Sequence, residues 1–100
     1  MWVEDFSQRL NDHQLQVFSS AVGISLRAIR EKREWSIYRL SQESGVDERG
    51  IRRIEEGNTA PGVDTVLRLC LALGVRFSQV IENAEAQATL VGLELPERLQ

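Results

Sequence analysis

Through the middle of the chain, apolar residues recur every three or four positions, which is the spacing of one face of an α-helix, and few β-branched runs alternate with the period of a strand. Val22, Leu26 and Ile29 define a first helical face, and Arg27, Arg30, Lys32 and Arg33 load its last turns with positive charge, as suits a helix C-terminus. Trp35 fills the turn that follows. Ser36 is a strong N-cap for a short second helix with Ile37, Leu40 and Ser41 on its inner face. Gly45 stops that helix, Val46 is the buried residue of the turn, and Asp47 caps a third helix in which Ile51 and Ile54 face inward. Gly57 ends the third helix, and Asn58 to Gly62 is a loop by composition. Val63, Val66, Leu67, Cys70 and Leu73 are predicted to share the inner face of a fourth helix, stopped by Gly74, and Phe77, Val80 and Ile81 open a fifth.

The pattern is weaker towards both ends. Val3, Phe6 and Leu10 fit a short amphipathic helix. Leu15, Phe18 and Val22 either extend the first helix backwards or belong to a separate turn. Glu82 to Ala88 favours helix by propensity, and Leu90, Val91, Leu93 and Leu95 either continue that helix or form a short strand. The expected organisation is all-α: an extension over residues 1–20, a core domain over 21–82, and a C-terminal extension over 83–100 that is a candidate pairing segment.

Composition narrows the class. A hydrophobic fraction of 42% supports a real core. No stretch approaches the roughly 20 apolar residues of a membrane span. The opening residues, Met-Trp-Val-Glu-Asp-Phe, carry acids where a signal peptide has positive charge. A cytoplasmic protein is therefore expected, and the single cysteine, Cys70, agrees. His13 is also alone. With no Ser/His/Asp set, no Cys/His pair at useful spacing and no phosphate-cradling glycine loop, neither an enzyme nor a metal or other cofactor is expected. The net charge is -3, an unpromising value for a nucleic-acid binder. Its distribution softens that: residues 23–60 hold eight of the twelve basic residues and come to +1, against -2 for each flank.

A short helix, a turn containing Gly45 and a second short helix form a supersecondary unit with a known use. The second helix of such a unit fits the DNA major groove, and the amide end of the first can face a phosphate. The ordered set Val22-Gly23, Ile29-Arg30-Glu31-Lys32-Arg33, Ser36, Leu40-Ser41, Gly45-Val46, Ile51, Arg53-Ile54-Glu55-Glu56-Gly57, Pro61, Thr65, Leu69, Ala72-Leu73-Gly74-Val75 and Phe77-Ser78 resembles the Cro/phage-repressor (Xre) family of helix-turn-helix regulators over about residues 20–82.

That resemblance implies a lambda-repressor-like five-helix domain with Val46–Glu56 as recognition helix, and a salt bridge from Arg30 to Glu55. It implies base contacts from Glu48, Arg49, Arg52 and Arg53, and phosphate contacts from Ser36, Ile37 and Tyr38, mostly through backbone, and from Asn58 and Thr59. The chemistry suits these roles: arginine gives two hydrogen bonds to guanine, and glutamate accepts from the cytosine amino group. The bland alternatives stay open, with the arginines as a solvated face and Glu48 as a first-turn acid favoured by the helix dipole. Three positions depart from the family pattern. Ile37 stands where glutamine is usual, Glu34 where glycine is common, and Gly50 lies inside the recognition helix. Gly50 either lets that helix approach DNA closely or weakens its reading. Leu71 replaces a usually polar residue and is either extra core or a subunit contact.

The function implied is sequence-specific binding of double-stranded DNA as a transcriptional repressor. A homodimer is expected, because one short helix reads too few base pairs and two-fold pairing sets two helices about 34 Å apart. Its surface is expected on the fifth helix and on Val3, Phe6, Leu10, Leu90, Val91, Leu93 and Leu95. The alternative is a protein-interaction module, an antitoxin or anti-activator, that keeps this fold for a protein partner; the acidic charge, Ile37 and Gly50 favour it.

Overall fold

The computed structural model describes residues 12–95. Within them the chain forms five helices and no strand: α1 Asp12–Lys32, α2 Ile37–Ser44, α3 Glu48–Glu55, α4 Val63–Leu73 and α5 Phe77–Leu90. Of the two readings of Leu15 and Phe18, the structure takes the first, with α1 running back unbroken to Asp12. The divisions at 20/21 and 82/83 thus fall inside α1 and α5, and neither marks a break in the backbone. Val3, Phe6 and Leu10 lie outside the described residues.

Each helix end has a local cause. The Ser36 hydroxyl accepts from the Arg39 N–H at 2.9 Å and opens α2, and Asp47 Oδ1 accepts from the Gly50 N–H at 2.6 Å and opens α3. Gly45, at φ 78°, closes α2 with its N–H on the Ser41 carbonyl, a backbone position that other residues enter only with strain. α1 closes in the same left-handed way without a glycine. Glu34 sits at φ 59°, its N–H reaches the Glu31 carbonyl at 2.9 Å, and the Trp35 N–H reaches the Arg30 carbonyl at 3.1 Å.

The core is Leu26 of α1, Leu40 of α2, Ile51 of α3, Leu69, Cys70 and Leu73 of α4, and Val80 of α5, all fully buried. Each large aliphatic side chain here contributes about 1.5–3 kcal/mol through its removal from water. Trp35 and Phe77 are half-buried and pack against this cluster. Gly23 lets α1 pack closely on the end of α3, because a Cβ there would run into the Ile54 carbonyl. Burial also pushes the Cys70 thiol above its ordinary range.

Two expectations about apolar faces need correction. Val63 and Leu67 are exposed, and the inner face of α4 is Val66, Leu69, Cys70 and Leu73. Apolar residues occupy most of α4's circumference, so several faces share helical spacing, and packing against α2 chooses among them. Leu71 is exposed as well, so it is not extra core. In the tail, Leu90 is the last residue of α5, and Val91 to Leu95 neither continues the helix nor forms a strand. A turn at Val91 and Gly92 brings the Leu93 N–H to the Ala88 carbonyl at 3.0 Å, and the Leu93 side chain is buried. Leu93 is therefore core and offers no surface for pairing, whereas Leu90, Val91 and Leu95 are exposed.

Candidate nucleic-acid interface

α3 has two faces of opposite character. Ile51, Ile54 and Glu55 point inward and are buried. Glu48, Arg49, Arg52 and Arg53 stand on the opposite side, all exposed. Their spacing places them on one arc of the helix, with Glu56 among them. Among the described residues, none of these three arginines takes part in an ion pair. The outer face therefore presents three guanidinium groups without an ionic partner among the described residues, and the two carboxylates of Glu48 and Glu56.

The inner face is held by an ion pair. Arg30 Nε donates to Glu55 Oε2 at 2.7 Å and Nη2 to Oε1 at 2.8 Å, a two-pronged contact that is nearly closed to solvent. Nη1 donates to the Trp35 carbonyl at 2.8 Å. One guanidinium thus ties the end of α3, the body of α1 and the turn into α2. The hydrogen bonds to Glu55 raise the Arg30 pKa, which keeps it charged at any ordinary pH. A buried pair like this is no guarantee of net stability, but it fixes where α3 sits against α1.

At the start of α2, Ser36 and Tyr38 are exposed and Ile37 is half-buried against the core. The first amides of a helix have no partner within it, so those of Ile37 and Tyr38 suit an anion. Ser36 already accepts the Arg39 amide, which leaves its hydroxyl proton to donate. Beyond α3, Asn58 and Thr59 are exposed; the Asn58 N–H closes α3 on the Arg53 carbonyl at 2.9 Å, and its side-chain amide meets Glu56 at 3.2 Å.

Two features were missed in the sequence. Arg39 and Arg33 stack over the Trp35 ring, 4.6 and 5.8 Å from its centre, so Trp35 braces cations beside the α2 terminus. Gly50 lies on the flank of α3 rather than on its outer face. A Cβ there would come within 3.0 Å of the Asp47 carboxylate that caps the helix and 3.5 Å of Val46, so the small residue makes room for the cap. Among the described residues no cluster of histidine, cysteine and acids could hold a metal, and no helix is long and apolar enough to cross a membrane.

The helix-turn-helix family matches residues 26–80, spanning α2, α3 and α4 with the last turns of α1 and the first turn of α5. An uncharacterised HTH-type transcriptional regulator of Mycobacterium tuberculosis is 32% identical over 76 residues, covering 73% of this chain and 30% of the relative. The HTH-type transcriptional regulator SutR of Escherichia coli is 33% identical over 62 residues, covering 62% of this chain and 35% of the relative. The chain thus spans about a third of the length of these curated relatives. No solved structure matches it. With more than half its length matched and its two short helices joined at Gly45 as the motif requires, the chain belongs to the helix-turn-helix family of transcriptional regulators, a family of binding proteins rather than enzymes.

Proposed function

We propose that this chain binds a specific double-stranded DNA operator through α3 in the major groove and acts in the cytoplasm as a dimeric repressor. The observation that carries the reading is the outer face of α3, where Glu48, Arg49, Arg52 and Arg53 are exposed on a helix whose other face is locked by Ile51, Ile54 and the Arg30–Glu55 pair. A rigidly held helix with free arginines on its outer arc can place guanidinium forks against guanine edges. Ser36, the backbone of Ile37 and Tyr38, and Asn58 and Thr59 flank that arc and serve as phosphate contacts. Residues 21–82 carry the reading unit, and the flanks contribute to pairing, with Leu90 and Val91 exposed at the end of α5.

The second reading, a module for a protein partner, draws on Ile37. Its side chain packs on the core, so the residue offers a phosphate nothing but its backbone N–H. Binding to mixed-sequence DNA at two salt concentrations separates the two. A DNA binder weakens steeply between about 50 and 200 mM salt, with a slope set by the phosphates contacted. Absence of DNA binding at the lower salt favours the protein partner.

A further inference from the structure

Three large apolar side chains stand in one row on the outer surface of α4: Val63 at 71% exposure, Leu67 at 43% and Leu71 at 71%. They follow one another at four-residue spacing, the neighbour spacing of a helix surface. Val66, Leu69, Cys70 and Leu73 satisfy the core from the other side, so this row contributes little to the monomer's packing. Contiguous exposed apolar surface of this kind marks an interaction site. Alongside the row stand Asp64 and Arg68, both exposed. Among the described residues neither takes part in an ion pair, and the Asp64 carboxylate turns back towards Gly62 rather than to Arg68.

We propose that this row is where a second copy of the chain docks, with the two α4 helices antiparallel across a two-fold axis at Leu67. The inference rests on the dimeric reading above and names its surface. In this arrangement Leu67 meets Leu67 of the partner subunit, and Val63 meets Leu71 of the partner subunit. The axis also sorts the charges. Asp64 lies three residues before it and Arg68 one residue after it, so Arg68 of the partner subunit falls about 3 Å along the helix from Asp64, on the same side of the contact. Each acid faces the other copy's base, twice per dimer. A surface that is its own complement in both shape and charge is what a two-fold contact requires. Three residues a side fall short of the roughly 1,200 Å² of a stable interface. The contact is therefore weak in free solution, and holding both copies on one operator strengthens it through effective concentration.

Sedimentation of the full chain without DNA, up to submillimolar concentration, tests this. The wild type shows a monomer–dimer equilibrium. Asp64→Arg and Arg68→Asp each set like charges across the axis and weaken association by about tenfold or more. The double variant Asp64→Arg/Arg68→Asp restores it, because the swap is complementary again across the same axis. Leu67→Glu abolishes it. All of these positions are exposed, so unchanged helical content and melting temperature verify the fold. A wild type that stays monomeric overturns the proposal, as does a dimer that the single swaps leave intact, or a double swap that fails to restore pairing. DNA binding of the wild type is measured separately. Salt-sensitive binding by a monomer leaves the DNA reading standing without this surface, and a dimer with no affinity for DNA does the reverse.

Discussion

The two faces of α3 carry similar chemistry and do different work. Each presents charged groups, yet Glu55 is buried and gripped by Arg30, while Arg49, Arg52 and Arg53 stand in water with no ionic partner among the described residues. An arginine–glutamate pair sealed from solvent is costly to break, because the surviving charge is left buried. An exposed arginine costs the fold almost nothing to remove. Charge on the inner face therefore sets the position of the helix, and charge on the outer face is available for a partner.

The largest expected effect comes from breaking the inner face. Glu55→Ala leaves the Arg30 guanidinium buried without its carboxylate and lowers stability by about 3–5 kcal/mol, a large part of the total for so small a domain. Thermal or urea unfolding reads this directly. Arg52→Ala makes the contrast: its unfolding midpoint stays within about 0.5 kcal/mol of the wild type, while affinity for DNA falls. Equal losses of stability in the two variants would erase the distinction between the faces. pH does not blur the test from the Arg30 side. A raised arginine pKa contributes stability that is present below its unfolded value and lost only as pH rises through the folded one, and both lie in strong alkali, beyond any ordinary buffer.

Smaller changes sharpen the comparison. Glu34 holds the left-handed position that ends α1, where a side chain costs roughly 1–2 kcal/mol and glycine costs about 0.5–1 kcal/mol in lost chain freedom. Glu34→Gly therefore raises stability by about 0.5–1 kcal/mol in the same unfolding measurement. Gly50→Ala has the smallest effect. Its helix-propensity gain of about 0.5–1 kcal/mol is offset by crowding the Asp47 cap, leaving stability within about 0.5 kcal/mol of the wild type. DNA affinity does not change, because the residue lies off the outer arc. A large loss of DNA affinity would put Gly50 at the DNA surface after all.

How far the sequence reached differs by region, for physical reasons. The α2–α3 unit was legible because its ends are written in residues with one local use each: Ser36 and Asp47 as caps and Gly45 as stop. The first core helix was clear, although its start was open, since nothing in the apolar spacing distinguishes a longer helix from a turn before Val22. α4 was legible as a helix but not in its rotation. Periodicity gives a spacing and not a phase, and with Val63, Leu67 and Leu71 as apolar as Val66 and Leu69, only tertiary packing decides which row is buried. The tail could not be read either, because the turn at Gly92 that folds Leu93 into the core depends on the α5 end it packs against. In the candidate site, residue types and spacing exposed the outer arc of α3. The stacking of Arg39 on Trp35 and the room Gly50 leaves for Asp47 are three-dimensional facts with no linear signature.

The central claim is that the outer face of α3 reads base sequence, and selection of bound sites from a random DNA pool with wild type, Arg49→Ala and Asn58→Ala tests it most directly. The wild type is expected to enrich a two-fold-symmetric site with G·C pairs in each half. Arg49→Ala should flatten the preference at one base step per half-site, worth about 1–3 kcal/mol of discrimination, while Asn58→Ala keeps the same site and binds every sequence more weakly. If the wild type enriches no sequence, or if Arg49→Ala selects the same site with the same preference at every step, α3 is not the reading element.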